Sequence, residues 1–546
     1  MRLRTGTKIN ADDPLDIVFE YHQRTKHQLD KYATGPEFLD WDLQPYPYRV
    51  FSGTEQFPLS LDLNDVTASY QSLYDQTQNL PLDVNLTNIG KFLGLGMGLS
   101  AHKEYMGDRW SLRCNPSSGN LHPTEAYLIS SNIDGMPNGV YHYLSKDHSL
   151  QQRFVAEQPF HQPLALVALT SIHWREAWKY GERAFRYCQL DIGHALASLA
   201  YAAATLGWRI NVLKDFTAND IATLCGLNGE TAYNNVEPEY PDLILEIVAN
   251  NTSSPTLDPQ SLHQWIDNGV WQGLANRLDK HPLYQWPVID QVEHATRGKD
   301  SGNNNEILQE LPPLIPDNNE MLAKHIIYGR RSAQHFDKQT SLSRDNFYSL
   351  LDKLLIRKSV LPWNALSDVF PMLMVLYVHR VNNLSPGLYL LANTDSNIEQ
   401  IKTLFDPEFI WQKASGSPDH IPFYLLSNKN VEKFSKTVSC HQNIACDGVF
   451  SASMLLKFDD VIREQTNNYR KIHWQAGLTG QILYLEAESF GLRGTGIGCF
   501  FDDVIHTTLG LKDKTFQVVY NFTCGAAFTD SRITTLPAYE HLDINL

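Results

Sequence analysis

The chain has 546 residues, more than one hydrophobic core usually supports, so two domains are expected. Its 42% hydrophobic and 11% aromatic residues exclude a disordered chain. A net charge of −16 argues against nucleic acid as a partner, and seven cysteines without tight metal spacing argue for free thiols rather than a zinc site. At the N-terminus, MRLRTGTKINADDPLDIVFEYH turns acidic before any apolar run of signal length. The longest apolar run, FPMLMVLYV (370–378), is too short to cross a bilayer. Both features predict a cytoplasmic protein without membrane association. In RWSLRCNPSSGNLHPTEAYLI (109–129), Pro116-Ser117-Ser118-Gly119-Asn120 must turn, because proline presets φ and glycine permits positive φ. A turn alone does not explain so many small polar groups beside Arg109, Arg113 and His122. TEAYLIS then alternates like a half-buried strand, with NGVYHYL (138–144) as its hairpin partner. His122 reads as a structural histidine preceding that strand. KYGERAFRY (179–187) is either an exposed helical turn pairing Lys179 with Glu182, or a place where a desolvated lysine or its tyrosine neighbour acts as a base.

Farther along, the chain repeats itself. CQLDIGHALASLAYAAATLGWRINVLKDFTANDIATLCGL (188–227) aligns without gaps on IHWQAGLTGQILYLEAESFGLRGTGIGCFFDDVIHTTLGL (472–511), sharing Gly193/Gly477, Leu199/Leu483, Gly207/Gly491, Arg209/Arg493 and Gly226/Gly510 at a constant offset of 284. One register over forty residues argues for a duplicated unit. Each copy predicts a long helix closed by glycine, a short helix, then a strand, 241–249 or 515–523. Both long helices are apolar all round and rich in small residues, so they are expected to be buried, with another backbone close by. Between the copies, residues 295–320 are polar and rich in Asn and Pro. The expected organisation is an α+β domain over 1–290, a linker over 291–318 and a second α+β domain over 319–546, packed as an internal pseudo-dimer.

The copies differ where chemistry would sit. Copy two has Gly494-Thr495-Gly496, where absent side chains let a backbone approach a flat ligand; copy one has Ile210-Asn211-Val212 at the same offset. Copy two also has Arg330-Arg331-Ser332 at the end of a short helical stretch, ahead of a capped helix in SLSRDNFYSLLDKLL. Paired guanidinium forks suit a phosphate, although an isolated Arg-Arg-Ser also fits a solvated turn. Arg49 is the nearest counterpart in copy one. Copy two lacks the Pro-Ser-Ser-Gly-Asn loop and carries Leu-Ser-Asp at 366–368 instead.

These motifs together, GRRSAQHF (329–336), NPSSGNLHPTEAY (115–127), KYGERAFRYCQLDIGHA (179–195) and GLRGTGIGCFFDD (491–503), resemble the nitroreductase superfamily, and within it the SagB/ThcOx-type dehydrogenases. The resemblance implies the flavin mononucleotide (FMN)-dependent α+β fold, here as a tandem pair of nitroreductase-like domains. It further implies one FMN between the repeats. Arg330, Arg331 and Ser332, with Arg532 as a weaker candidate, would hold the phosphate. Pro116, Ser117, Ser118 and Asn120 would meet the ribityl chain and ring edge, and Gly494, Thr495 and Gly496 the ring. Arg109 or Arg113 would supply positive charge to the reduced ring. Lys179 and Tyr180 are the implied catalytic pair, and no metal is expected. The implied activity is that of a dehydrogenase or oxidase acting on a small molecule or peptide. Alternatives are an NAD(P)H-dependent nitro or quinone reductase, with the nucleotide as a transient partner, and a flavin-binding scaffold without catalysis.

Overall fold

A computed structural model of the chain describes residues 4–75, 79–229, 232–249, 256–298, 310–316, 319–392 and 398–542. Two antiparallel sheets organise it. The first runs Trp208–Val212, Tyr240–Ala249, Leu164–Ser171, Thr124–Ser131, Gly139–Leu144, Ser149–Ala156, with Gly269–Trp271 and Gln56–Pro58 both on the last of these. The second runs Arg493–Ile497, Phe516–Gly525, Phe450–Lys457, Met372–Val378, Gly387–Ala392, Phe423–Ser427, Gln412–Lys413. Strand for strand, the first six positions follow the same order along the chain in both sheets. The hairpin expected after the 116–120 turn is present, with Tyr127 opposite His142. Its first strand, however, is buried on both faces rather than half-buried. Ala126 and Leu128 face the central core, whereas Tyr127 and Ile129 join a second apolar cluster on the outer side of the sheet.

Two helices of 22 residues, Ala184–Thr205 and Asn468–Ser489, lie between the sheets and pack on each other. Small residues set how closely. A Cβ on Gly193 would sit 2.1 Å from the Trp474 carbonyl oxygen, and one on Gly477 would sit 2.1 Å from that of Leu190. The backbones therefore touch at the two glycines that share the sequence offset. Both helices stop where expected, at Gly207 (φ 70°) and Gly491 (φ 71°), left-handed positions that a Cβ disfavours. No helix among the described residues is long and apolar enough to cross a membrane.

Two more features join the halves. Thr534–Leu536, near the C-terminus, pairs with Leu99–Tyr105, which in turn pairs with Asp108–Arg113. The central core runs without a break from Ile9 to Cys524 and draws on both halves. The helix Pro287–Ala295 runs through residue 291, where the linker is expected to begin, burying Val288, Ile289 and Val292. Much of that linker lies outside the described residues.

Candidate functional site

One cavity of about 480 Å³ opens between the halves. Residues 115–120 and Arg113 from the first half form one wall, and Arg330–Gln334 with Arg493 and Thr495–Cys499 from the second form the other. The Arg-Arg-Ser segment, the Pro-Ser-Ser-Gly-Asn loop and part of the glycine loop thus meet, although more than two hundred positions separate the first two in sequence.

The cationic end is built around the Ala323–Gly329 helix, which stops at Arg330. Arg330 is buried; its Nε donates to the Cys114 carbonyl (3.0 Å) and its Nη2 to that of Arg113 (2.7 Å). It therefore fastens the two walls to each other as well as lining the cavity. Arg331 donates to the Tyr328, Arg330 and Ser100 carbonyls. Burial, aided by the neighbouring Arg330 charge, lowers its pKa to about 10. Lys103, also lowered by burial and then by Arg331 and Arg493, lines the same region. Arg493 pairs with Glu488, whose pKa burial raises in spite of the three arginines around it. Ser332, an exposed residue, lines the cavity, and its hydroxyl meets Tyr484 Oη at 2.8 Å.

Across the cavity, the 116–120 loop is held by a residue of the first central helix. Asp191, buried, accepts from the Ser118 N–H (3.1 Å) and hydroxyl (3.0 Å). Burial pushes its pKa up to about 7 even though those bonds favour the charged form. Ser117 Oγ accepts the His122 N–H, and Asn120 Nδ2 donates to the Ser111 carbonyl. The loop side chains line the cavity while much of their hydrogen bonding shapes the loop itself. His122 is buried on the cavity wall, and neither ring nitrogen completes a normal hydrogen bond, apart from an approach to the Ser111 backbone. Burial, then Arg113, holds it neutral, well below the usual histidine range.

Tyr180 lines this cavity, and Lys179 lies beside it behind the 116–120 loop. A Cβ on Gly119 would lie 2.4 Å from Tyr180 Oη and 3.2 Å from Lys179 Nζ. They end the helix His173–Tyr180, and the next residue, Gly181, turns with φ 57°. The segment is not an exposed turn, and Glu182 pairs with Arg24 rather than with Lys179. Lys179 Nζ lies over the Trp41 and Tyr180 rings at 5.4 and 5.2 Å, and burial lowers its pKa. Beneath it Glu176 is fully buried, with neither carboxyl oxygen hydrogen-bonded. Burial, then Asp191, raises the Glu176 pKa well above the carboxylate range.

Three expected residues stand elsewhere. Arg109 is exposed on the 99–113 hairpin opposite Glu104, because its strand leaves the cavity before that position. Arg532 is on the surface, bound through Nε and Nη2 to Asp530. Gly494 is buried under the ring of Phe522, 2.4 Å from where its Cβ would be, and its carbonyl accepts from Ala333 N–H. Gly496 does line the cavity, but its N–H donates to Tyr484 Oη and a Cβ there would collide with Tyr520 Oη. Aromatic packing therefore requires glycine at both positions. Asp191, His194 and Tyr484 are wall residues that sequence reasoning missed. Their signal was available for two: Asp191 and His194 are ionisable residues three apart in an otherwise apolar helix, hence on one face.

A second, smaller pocket of about 70 Å³ is bordered by Val212 and Ser367, from the stretches expected to form the degenerate counterpart. Charged side chains close it: Lys471 and Lys214 meet Asp368 at 2.9 and 3.2 Å, and Arg470 meets Asp242 at 3.0 Å. Where Asp191 holds Ser118, Gln475, 284 positions later, exchanges two hydrogen bonds with the Phe370 backbone. Arg49 takes no part; it is fully buried, donating to the Asn276 and Glu237 carbonyls.

Residues 109–233 match the Nitroreductase family. A curated relative from Methanocaldococcus jannaschii, "Putative nitroreductase MJ1384", is 27% identical over 154 residues, which are 26% of this chain and 72% of that protein. A crystal structure of "a putative nitroreductase" from Anabaena variabilis superposes with a TM-score of 0.65 at 20% identity, covering 94% of this chain and 99% of that one; at such identity it shows a shared fold. A nitroreductase structure "in complex with FMN" from Exiguobacterium sibiricum is 12% identical, covers 41% of this chain and 91% of that one, and has a TM-score of 0.22, too low to carry an argument. The segment that supplies the 116–120 loop, the Lys179-Tyr180 pair and Asp191 thus lies in the stretch that matches the Nitroreductase family, set within a chain of nitroreductase-like fold.

Proposed function

We propose that this protein is an FMN-dependent oxidoreductase, a dehydrogenase or oxidase of SagB/ThcOx type, built as a duplicated pair of domains in an internal pseudo-dimer. It holds one FMN per chain between them and acts on a small molecule or peptide. The observation that carries the reading is the cationic end of the cavity. Arg330, Arg331, Arg493 and Lys103 converge there, with Glu488 paired to Arg493, beside the Ser332 hydroxyl. Such a cluster is costly without an anion and suits a phosphate. The group fits: Arg331, Ser332, Lys103 and Arg493 would receive the phosphate, and Arg330 would fix the seat. Residues 117–120 would flank the ribityl chain, and Arg113, whose buried Nε has no partner, would stabilise negative charge on the ring. When bound, FMN supplies two-electron acceptor chemistry. The chain's own contribution is proton handling: Lys179 Nζ, biased by burial toward its free base, takes the proton a substrate loses on oxidation. Tyr180, whose pKa burial raises, stays protonated and positions it.

The test is a visible spectrum of the purified protein, with released flavin counted per chain. One FMN per chain is the expected result; two would mean that the closed counterpart also binds, and none after added FMN would overturn the reading. Arg331→Ala should weaken FMN retention about thirtyfold, roughly 2 kcal/mol for losing charged hydrogen bonds. Fluorescence titration checks it.

A further inference from the structure

Cys499 lines the cavity and faces a second thiol. The Phe501 N–H donates to the Val438 carbonyl (2.8 Å), and Gln442 Nε2 donates to the Cys499 carbonyl (3.4 Å). The two segments therefore pass antiparallel with Cys440 opposite Cys499, both of them partly exposed free thiols. Cys440 and His441 sit at φ 51° and 60°, a region that side chains rarely adopt. On the other side is His27. Its Nδ1 accepts the Ala33 N–H at 2.9 Å, which leaves the proton of a neutral ring on Nε2, and the ring lies near Cys499. Arg183 adds positive charge, its Nη2 held by the Gly498 carbonyl at 3.1 Å. Asp502, Tyr187 and the Tyr32 hydroxyl complete the titratable surroundings. Such an environment favours a thiolate on Cys499, holding its pKa below the usual thiol range, foremost through the neighbouring Cys440 thiol and then through His27 and Arg183. Cys446, also partly exposed, is an internal control: burial, then Asp447, raises its pKa to about 11.

We propose that Cys440 and Cys499 form a redox-active dithiol that reduces low-molecular-weight disulfides reaching the cavity. The Cys499 thiolate attacks one sulfur of RS–SR; that S–S bond breaks and RS⁻ leaves. Cys440 then gives its proton to the departing thiolate, and its sulfur attacks Cys499 in the mixed disulfide, expelling the second RS⁻. Two electrons pass from the protein to the substrate, and a Cys440–Cys499 disulfide remains. The inference needs no flavin and stands apart from the FMN reading.

Two measurements on the full-length chain test it. Iodoacetamide at about pH 6.5 should alkylate Cys499 at least ~tenfold faster than Cys446; equal or slower labelling overturns the proposal. Oxidised glutathione should then give a Cys440–Cys499 cross-linked peptide in a non-reducing map, with two glutathiones released per chain. Cys440→Ser should instead retain one glutathione on Cys499. Persistent glutathione on Cys499 in the native chain, or no reaction there, overturns it without relying on the variant. A chain that refuses added FMN yet still forms the cross-link would defeat the FMN reading and leave this one standing.

Discussion

Asp191 keeps its proton to higher pH in the folded chain than in the unfolded one. Its folded pKa of about 7 lies above the ordinary 3.8, because burial outweighs the Ser118 hydrogen bonds. Between those values the folded chain binds more protons than the unfolded one, so stability falls as pH rises from about 4 to about 7 and levels off above. Glu176, raised for the same first reason, acts in the same direction. Asp191→Asn should therefore flatten the decline in melting temperature across that window without abolishing it. An unchanged slope in a pH series of thermal melts would show that the carboxyl ionises normally. At this scale the sequence is a partial guide. Residue types such as Arg-Arg-Ser announce what they could bind, but not which hydrogen bonds are already committed. Arg330 uses Nε and Nη2 on backbone carbonyls of the other half, and Gly494 and Gly496 make room for Phe522 and Tyr520. The direction of Lys179 depends on how the His173–Tyr180 helix ends, which no local pattern states.

The central helices were legible because a glycine that stops a helix and an apolar surface on all sides are local signals. Their closest approach was legible because small residues recur at one offset. Gly193→Ala tests that contact: a methyl group facing the Trp474 carbonyl must push the helices apart, at a cost of about 3 kcal/mol. The urea midpoint should fall accordingly, and a shift within error would mean that the crossing is loose. Strand Thr124–Ser131 misleads for the opposite reason. Its polar letters suggest a solvated face, but Glu125 is buried between Arg175 and His142, 2.9 Å from the latter. An ion pair assembled from distant segments lets a charged residue occupy an interior strand, and alternation cannot reveal that.

Two domains of separate stability are what chain length suggests, yet the apolar core is continuous and the C-terminal strand belongs to a first-half hairpin. Calorimetry should accordingly show one unfolding transition for the whole chain; two resolved transitions would mean that the halves fold independently. The cavity is a property at this scale too, since neither half encloses it. Each of its walls is written once, at its own place in one chain. In an assembly of identical subunits every substitution alters two pockets together. Here the 116–120 loop and the Arg-Arg-Ser segment can be varied one at a time, so a library confined to residues 116–122 would explore ligand preference at one pocket without doubling each change.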